Sequence, residues 1–184
     1  AEPREYALER HTLHMGTLIN AKLFGATPEA VKHYAIVFED KVTDYDDLMS
    51  VHKDTPLNEV NRRAGEPVEV PCEIADMTKQ ALAIADETNG AFEPMIGPVV
   101  NLWKIGFGGE HVPSDEAIAE AVSKVDRSKV RVWREGGRCM MQIAKGQSID
   151  MGAIAKGFIG QRLSDILKHA GMTRGVLDLG GNIV

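Results

Sequence analysis

The chain has 184 residues, of which 43% are hydrophobic and 26% charged, and its formal net charge is −6. A chain of this length is expected to fold as about one globular domain that buries roughly 70% of its unfolded surface. The acidic balance, without a block of Lys or Arg, argues against a nucleic-acid or anionic-membrane partner. No apolar run approaches the roughly 20 residues of a membrane-spanning helix.

The first predicted element covers residues 11–25, HTLHMGTLINAKLFG, which are rich in residues that favour strands. We predict one strand or two, interrupted at Met15-Gly16-Thr17, with Gly16 as a bulge or a point of close approach. The spacing of His11 and His14 suits alternate faces of a strand. It therefore favours histidines at the surface or rim over metal ligands.

A long helix is predicted from Thr27-Pro28-Glu29, which supply a capping hydroxyl, a proline at the first helical position and an acid in the first turn. Its apolar positions continue with helical spacing to about Met49. The same segment contains a run of acids, namely Glu39, Asp40, Asp44, Asp46 and Asp47. Most of these acids fall opposite the apolar face, so a solvated surface is favoured over a metal cluster.

The remaining elements follow from capping residues, turn residues and apolar spacing. We predict helices from Thr55-Pro56 to about Asn61, from Glu73 to Thr88 and from Pro113-Ser114-Asp115 to about Lys124. We predict an extended connector over Glu66–Pro71, a hairpin of Val130–Trp133 with Arg138–Ile143, and a strand over Arg174–Leu179. Helices and strands alternate, but they include a hairpin and few parallel crossovers. The predicted fold class is therefore α+β with a mainly antiparallel sheet.

Residues 90–109, GAFEPMIGPVVNLWKIGFGG, predict an irregular apolar loop, because glycines and prolines interrupt the hydrophobic residues. With Phe92, Trp103 and Phe107, the loop could form the wall of a site for a flat aromatic ligand. It could equally plug one end of the core. The residues alone favour the plug.

The segment that bears most on function is Ile149–Gly157, IDMGAIAKG. We predict a strand over Gln142–Ile149 and a helix that continues to Gly171, so that Asp150 lies where the strand ends and the helix begins. A carboxylate is favourable there, whereas the cation of Lys156 opposes the helix dipole. A bound anion or polar ligand would account for the lysine. The alternative is a capping Asp150 and a solvated Lys156.

The two cysteines, Cys72 and Cys139, are too few for a disulfide scaffold and lack the spacing of a metal site. They could pair in a single disulfide. The sequence favours two buried free thiols.

Ordered motifs along the chain resemble the FAD:protein FMN transferase family, also called the ApbE family. They are Met15-Gly16-Thr17, Gly90-Ala91-Phe92-Glu93-Pro94 with Gly97-Pro98, the segment Asp150–Gly157, and the strand end Asp178–Asn182. Each motif alone is a weak signal, but their order and spacing fit together over nearly the whole chain.

The resemblance implies binding of FAD and a divalent metal, usually magnesium, and transfer of FMN to a Ser or Thr hydroxyl of a target protein with release of AMP. The implied FAD contacts are Met15, His52, Ala91, Phe92, Glu93, Asp150 and Lys156. The backbone carbonyl of Ala153 would bind the metal. Two alternatives stay open: a module that only binds FAD, and a pyrophosphatase that uses water as the acceptor.

Two departures from the family pattern stand out. Glu93 occupies a position where the family usually has Asp. The family also continues well beyond Val184, with residues that complete the metal site. We therefore expect residues 1–184 to be an N-terminal portion, with the rest in another chain or lost, and an open sheet edge beside Leu177–Leu179. Family members of this kind are commonly exported, so the resemblance implies a periplasmic protein or a membrane-anchored lipoprotein.

Overall fold

The computed structural model describes residues 4–50, 53–104 and 111–184, with Ala153 described by its backbone alone. The described helices are α1 (Pro28–Met49), α2 (Pro56–Arg62), α3 (Cys72–Glu87), α4 (Gly97–Trp103), α5 (Asp115–Ser123) and α6 (Gly152–His169). The described strands are β1 (Tyr6–His14), β2 (Thr17–Gly25), β3 (Val68–Val70), β4 (Arg131–Glu135), β5 (Arg138–Gln142), β6 (Gly175–Leu179) and β7 (Asn182–Ile183). They form two compact units: residues 1–54 with 154–184, and residues 55–153.

The first unit contains a sheet with the strand order β1-β2-β6-β7, in which each neighbouring pair is antiparallel. Strands β1 and β2 pair as a hairpin, with His14 opposite Thr17, so the chain forms two strands here and the first begins before the predicted segment. Met15 and Gly16 make the hairpin turn with φ of 51° and 68°. Positive φ at both positions is typical of the two-residue turn that joins twisted antiparallel strands. Gly16 is therefore part of a tight turn and not a bulge.

Helix α1 confirms the long helix predicted from its capping residues and apolar spacing. The Thr27 hydroxyl accepts a hydrogen bond from the Ala30 amide at 3.1 Å, and Pro28 is the first helical residue. Its buried face includes Val31, Phe38, Val42 and Tyr45. The buried positions of the sheet, Ile19, Ala21, Leu23, Leu177 and Leu179, complete this core. In the run of five acids on α1, Glu39, Asp40, Asp44 and Asp47 are exposed as predicted, but Asp46 is buried.

The expected open edge beside β6 is occupied by the chain itself. Strand β7 pairs with β6, and Leu177 and Val184 exchange backbone hydrogen bonds of 2.9 and 2.8 Å. Gly180 and Gly181, both with positive φ, allow the tight turn between the two strands. The prediction was therefore wrong about β6, because the turn residues let the chain fold back at once.

The second unit contains a sheet with the order β3-β5-β4, again entirely antiparallel. Helix α3 packs on this sheet; Ile74, Met77 and Ala81 of the helix and Met141 of β5 are fully buried. The hairpin β4–β5 turns at Gly136-Gly137, as the sequence predicts. The predicted α+β class with antiparallel sheets is confirmed.

Cys72 and Cys139 form a disulfide, so the prediction of two free thiols was wrong. The pairing of β3 with β5 sets Val70 opposite Cys139, and Cys72 follows shortly after Val70 at the start of α3. This register brings the two Cα atoms to 5.3 Å, within the range that a disulfide spans. The bond closes a loop between residues separated by 67 positions, which raises its stabilising effect.

Two local predictions failed for identifiable reasons. Residues 143–149 form no strand, because the buried Gln147 side chain accepts from the Ala144 amide and donates to the carbonyls of Lys124 and Asp126.

The irregular loop predicted from residue 90 onward contains regular structure in its described part, residues 90–104. A 3-10 turn over Pro94–Ile96 leads into α4. Pro98 lies in the first turn of α4, where a proline favours a helix. Phe107 lies outside the described residues.

Among the helices of the described residues, none has both the length and the apolar character needed to span a bilayer.

Candidate functional site

A pocket of about 400 Å³ lies within the second unit, where two of the singled-out motifs meet. It is lined by Gly90, Ala91, Phe92, Glu93, Ile96, Asp150 and Gly152. The residues Ala91, Phe92, Glu93 and Asp150, predicted from distant parts of the sequence, are thus brought together. Its volume falls within the range of small-molecule sites.

The first wall of the pocket is the loop that ends α3. Asn89 and Gly90 adopt φ of 50° and 78°, and the Gly90 amide bonds to the Ala85 carbonyl at 2.8 Å. These left-handed residues reverse the chain after the helix. The Thr88 hydroxyl then accepts from the Phe92 amide at 3.2 Å, which fixes the backbone beside the half-buried aromatic ring.

Glu93 anchors the end of this loop. Its carboxylate accepts from the Met95 amide at 3.0 Å and caps the 3-10 turn. Its other oxygen pairs with Arg127, which also bonds to Asp86 at 3.1 Å. The hydrogen bond to Glu93, reinforced by Asp86, raises the pKa of Arg127 above its ordinary value despite partial burial.

The second wall of the pocket is the segment that leads into α6. The Asp150 amide donates to the Pro94 carbonyl at 2.8 Å, so the two walls are joined by a direct hydrogen bond. The Asp150 carboxylate accepts from the Gly152 amide at 2.8 Å and caps the helix. The predicted capping role of Asp150 is present, and the same residue faces the pocket.

This wall is held from behind by Asn61. Its amide group accepts from the Ile149 N–H at 2.7 Å and donates to the Ile149 carbonyl at 3.1 Å. Gly97 allows Ser148 to approach closely, because a Cβ built on Gly97 would lie 2.2 Å from the Ser148 hydroxyl oxygen. Sequence reasoning missed both supports, because Asn61 belongs to no motif and the Gly97-Pro98 motif does not indicate that Gly97 contacts Ser148.

Lys156 lies in the part of α6 that belongs to the first unit. Its Nζ is 3.2 Å from the point where a Cβ of Gly180 would stand, and the Thr17 hydroxyl is 2.5 Å from that point. Gly180 has a φ of 63°, which suits a glycine. Among the described residues, Lys156 forms no ion pair with a carboxylate.

Met15 also lies in the first unit, at the tip of the β1–β2 hairpin. Its amide donates to Asp46 Oδ1 at 2.9 Å, while Lys53 Nζ and His14 Nδ1 lie 2.6 and 3.3 Å from Oδ2. Burial alone raises the pKa of Asp46, but hydrogen bonds from Lys53, His14 and the Met15 amide lower it below its ordinary value. Asp46 therefore fixes the hairpin turn that carries Met15.

The remaining predicted residues are His52 and Ala153. His52 lies outside the described residues. Ala153 lies in the first turn of α6, where its backbone alone is described. Within the described part of the chain, no group of three or more His, Cys, Asp or Glu side chains could hold a metal ion.

The fold and the pocket define an α+β protein in which a capped turn after one helix meets the start of another. A profile of the ApbE family matches residues 15–184, and the chain belongs to the ApbE family. The FAD:protein FMN transferase of Treponema pallidum is 34% identical over 190 residues, covering 100% of this chain and 52% of that protein. One from Klebsiella pneumoniae is 33% identical over 141 residues, covering 76% of this chain and 44% of its own length.

Solved structures agree with the family assignment. The flavin transferase ApbE from Vibrio cholerae superposes with a TM-score of 0.84 at 25% identity, over 98% of this chain and 59% of that one. The ApbE protein from Thermotoga maritima gives a TM-score of 0.83 at 24% identity, over 97% and 58%, and shows the shared fold. This chain thus spans about half the length of the curated relatives that it matches.

Proposed function

We propose that the chain forms the flavin-binding part of an FAD:protein FMN transferase. The observation that carries the proposal is the pocket that joins Ala91, Phe92 and Glu93 with Asp150. The names of the relatives from Treponema pallidum and Klebsiella pneumoniae support this assignment. Met15, Lys156 and His52 are proposed as further FAD contacts.

The proposed reaction is the attack of a Ser or Thr hydroxyl of a target protein on the FMN-side phosphorus of FAD. A new phosphoester bond forms between the hydroxyl oxygen and that phosphorus, while the pyrophosphate P–O bond breaks. AMP leaves, and the hydroxyl proton is released. The start of α6 supports binding of the oxygen-rich phosphates, because free amides and the helix dipole favour negative charge there.

Magnesium is proposed as the metal, with the Ala153 carbonyl as one ligand. A hard cation of this kind neutralises phosphate charge when bound. The described residues contribute binding and orientation: Phe92 borders the flavin site, and Asp150 joins its two walls.

An exported location is proposed for the protein. The Cys72–Cys139 disulfide supports it, because disulfides persist in oxidising compartments and are rare in the cytosol. Free-thiol titration of the protein isolated from its native cells without reductant would test this location. Two titratable thiols would contradict it.

Titration of the chain with FAD, followed by flavin fluorescence, tests the site. We expect Phe92→Ala to weaken binding by about tenfold, as for loss of an aromatic contact. Trp133→Ala is the matched control, because this half-buried aromatic lies on β4 outside the pocket lining. Absence of FAD binding to the wild-type chain would contradict the proposal.

The transfer step needs a separate measurement. The chain is mixed with FAD, magnesium and a protein acceptor containing Ser and Thr, and covalent flavin is sought by fluorescence in a denaturing gel. Covalent labelling supports the transferase. Production of free FMN and AMP without labelling would instead support the pyrophosphatase alternative.

A further inference from the structure

We infer that Arg127 is a positioning residue for the flavin pocket, acting through Glu93 on the loop formed by residues 90–93. The inference rests on the proposed function. Arg127 is absent from the pocket lining and lies on the far side of Glu93, beside a neighbouring cavity of about 530 Å³. It therefore acts on the flavin site without touching the ligand.

Arg127 contacts the loop at Glu93. Its guanidinium pairs with Glu93 and also lies near Gly90, since a Cβ built on Gly90 would stand 3.5 Å from Nη1. The same guanidinium reaches back to Asp86 on α3 at 3.1 Å. Arg127 thus ties the end of α3 to the Glu93 end of the loop. The fixed fork of arginine donors suits this arrangement better than a lysine would.

The contacts of Glu93 explain why it serves as the link. One carboxylate oxygen accepts from the Met95 amide at 3.0 Å, and the other pairs with Arg127. Only 12% of the side chain is exposed, so a change at Arg127 leaves a largely buried carboxylate without its cation. Both oxygens have internal partners. Glu93 therefore acts on the flavin chiefly by fixing the backbone of the loop.

The Glu93 side chain caps the 3-10 turn with one oxygen and extends the other to Arg127. The two residues should therefore be energetically coupled.

The turn that begins with Arg127 is held by its own neighbours. The Asp126 carboxylate accepts from the Ser128 amide at 3.0 Å. The buried Gln147 side chain donates to the Asp126 carbonyl at 2.8 Å. These bonds fix the backbone from which the Arg127 side chain extends to Glu93.

The test compares Arg127→Met with Arg127→Lys in the whole chain, with FAD affinity and amide hydrogen exchange of residues 90–96 as readouts. We expect Arg127→Met to weaken FAD binding about tenfold and to speed exchange of the Met95 amide. Arg127→Lys should recover part of both losses, because it restores the charge without the fork. Arg138→Met is the matched control, since Arg138 pairs with Glu69 at 3.6 Å on an exposed surface of the same unit.

A double-mutant cycle with Glu93→Gln then measures the coupling. If Arg127 acts through Glu93, adding Arg127→Met to Glu93→Gln should weaken FAD binding much less than Arg127→Met does alone. Additive losses, or exchange rates for residues 90–96 that match those of Arg138→Met, would overturn the inference. The exchange measurement needs no flavin. A wild-type chain that binds no FAD would overturn the proposed function, while the exchange data would still decide whether Arg127 holds the loop.

Discussion

Each of the two units contains a mostly buried carboxylate that fixes a turn beside a proposed flavin contact. In the first unit, Asp46 holds the hairpin turn of Met15, and in the second, Glu93 holds the loop of Phe92. Both carboxylates accept from a backbone amide and pair with a cation. Their side chains are equally shielded, at 12% exposure each. The same local arrangement therefore occurs in two unrelated pieces of chain.

The difference between the two lies in their partners. Glu93 pairs with an arginine, which stays charged at every accessible pH and has a planar set of donors. Asp46 is paired with Lys53, whose side chain is 41% exposed, and with the imidazole of His14, and neither partner has the planar fork of an arginine. The second unit also has the Cys72–Cys139 disulfide, whereas the first unit contains no cysteine. The second unit should therefore be the more rigidly held of the two.

The largest expected effect is the loss of the disulfide. Reduction, or the double substitution Cys72→Ala with Cys139→Ala, should destabilise the second unit by about 4 kcal/mol, as estimated for a loop of this length. Hydrogen exchange measured unit by unit, with and without reductant, would show it. The sheet amides of the first unit serve as the internal control. Equal acceleration of exchange in both units would contradict the proposed difference.

The next effect concerns Asp46. Asp46→Ala should lower the free energy of unfolding by about 2 kcal/mol, because it leaves the Met15 amide without its acceptor and removes the pairing with Lys53 and His14 in a partly screened site. Denaturant unfolding measures the change. Asp47→Ala is the matched control, since Asp47 also pairs with Lys53, at 2.7 Å, but is exposed. We expect the control to stay within about 0.5 kcal/mol of wild type. Equal losses in the two variants would contradict a special role for Asp46.

The lowered pKa of Asp46 gives this comparison a pH dependence. A carboxyl whose folded pKa lies below its unfolded value contributes stability that is fully present above the unfolded pKa. That contribution falls as pH drops from about 4, the ordinary value for Asp, through the lower folded pKa. The stability advantage of wild type over Asp46→Asn should thus be constant near neutrality and shrink in acid. An advantage that does not change down to acid unfolding would contradict it.

Sequence reasoning succeeded where local chemistry decides the structure. Thr27-Pro28 and Ser114 start α1 and α5 as their capping hydroxyls predict, and the Gly136-Gly137 turn gives the β4–β5 hairpin. It failed where a distant partner decides. Asp46 looks like one acid in a solvated run, and only the fold brings His14 and the Met15 amide to it.

The same limit applies to the candidate site. The motifs singled out Phe92 and Asp150, which the structure brings to one pocket. Nothing in the sequence around Arg127 predicts that it ties Glu93 to Asp86, because the ion pairs span 34 and 41 positions. Likewise, the Cys72–Cys139 pairing follows from the register of β3 and β5. The spacing of apolar residues in the sequence does not predict that register.

The smallest expected change in stability is that of Lys156→Ala. Lys156 lies near the start of α6, where a cation opposes the helix dipole, whereas Lys168 lies in the last turn of the same helix, where a cation is favourable. Each substitution to alanine should stay within about 0.5 kcal/mol of wild type, and Lys168→Ala should be the less stable of the two.

Ligand binding should separate these two variants clearly. The ammonium of Lys156 lies beside Gly180 and Thr17, and it has no carboxylate partner among the described residues. A bound anion would therefore interact with an ammonium that no carboxylate neutralises. FAD titration followed by fluorescence should show about tenfold weaker binding for Lys156→Ala, as for loss of one charge-assisted contact, and no change for Lys168→Ala. Equal affinities for the two variants would mean that Lys156 is a solvated surface residue. The unfavourable position of this lysine on the helix would then have no ligand to explain it.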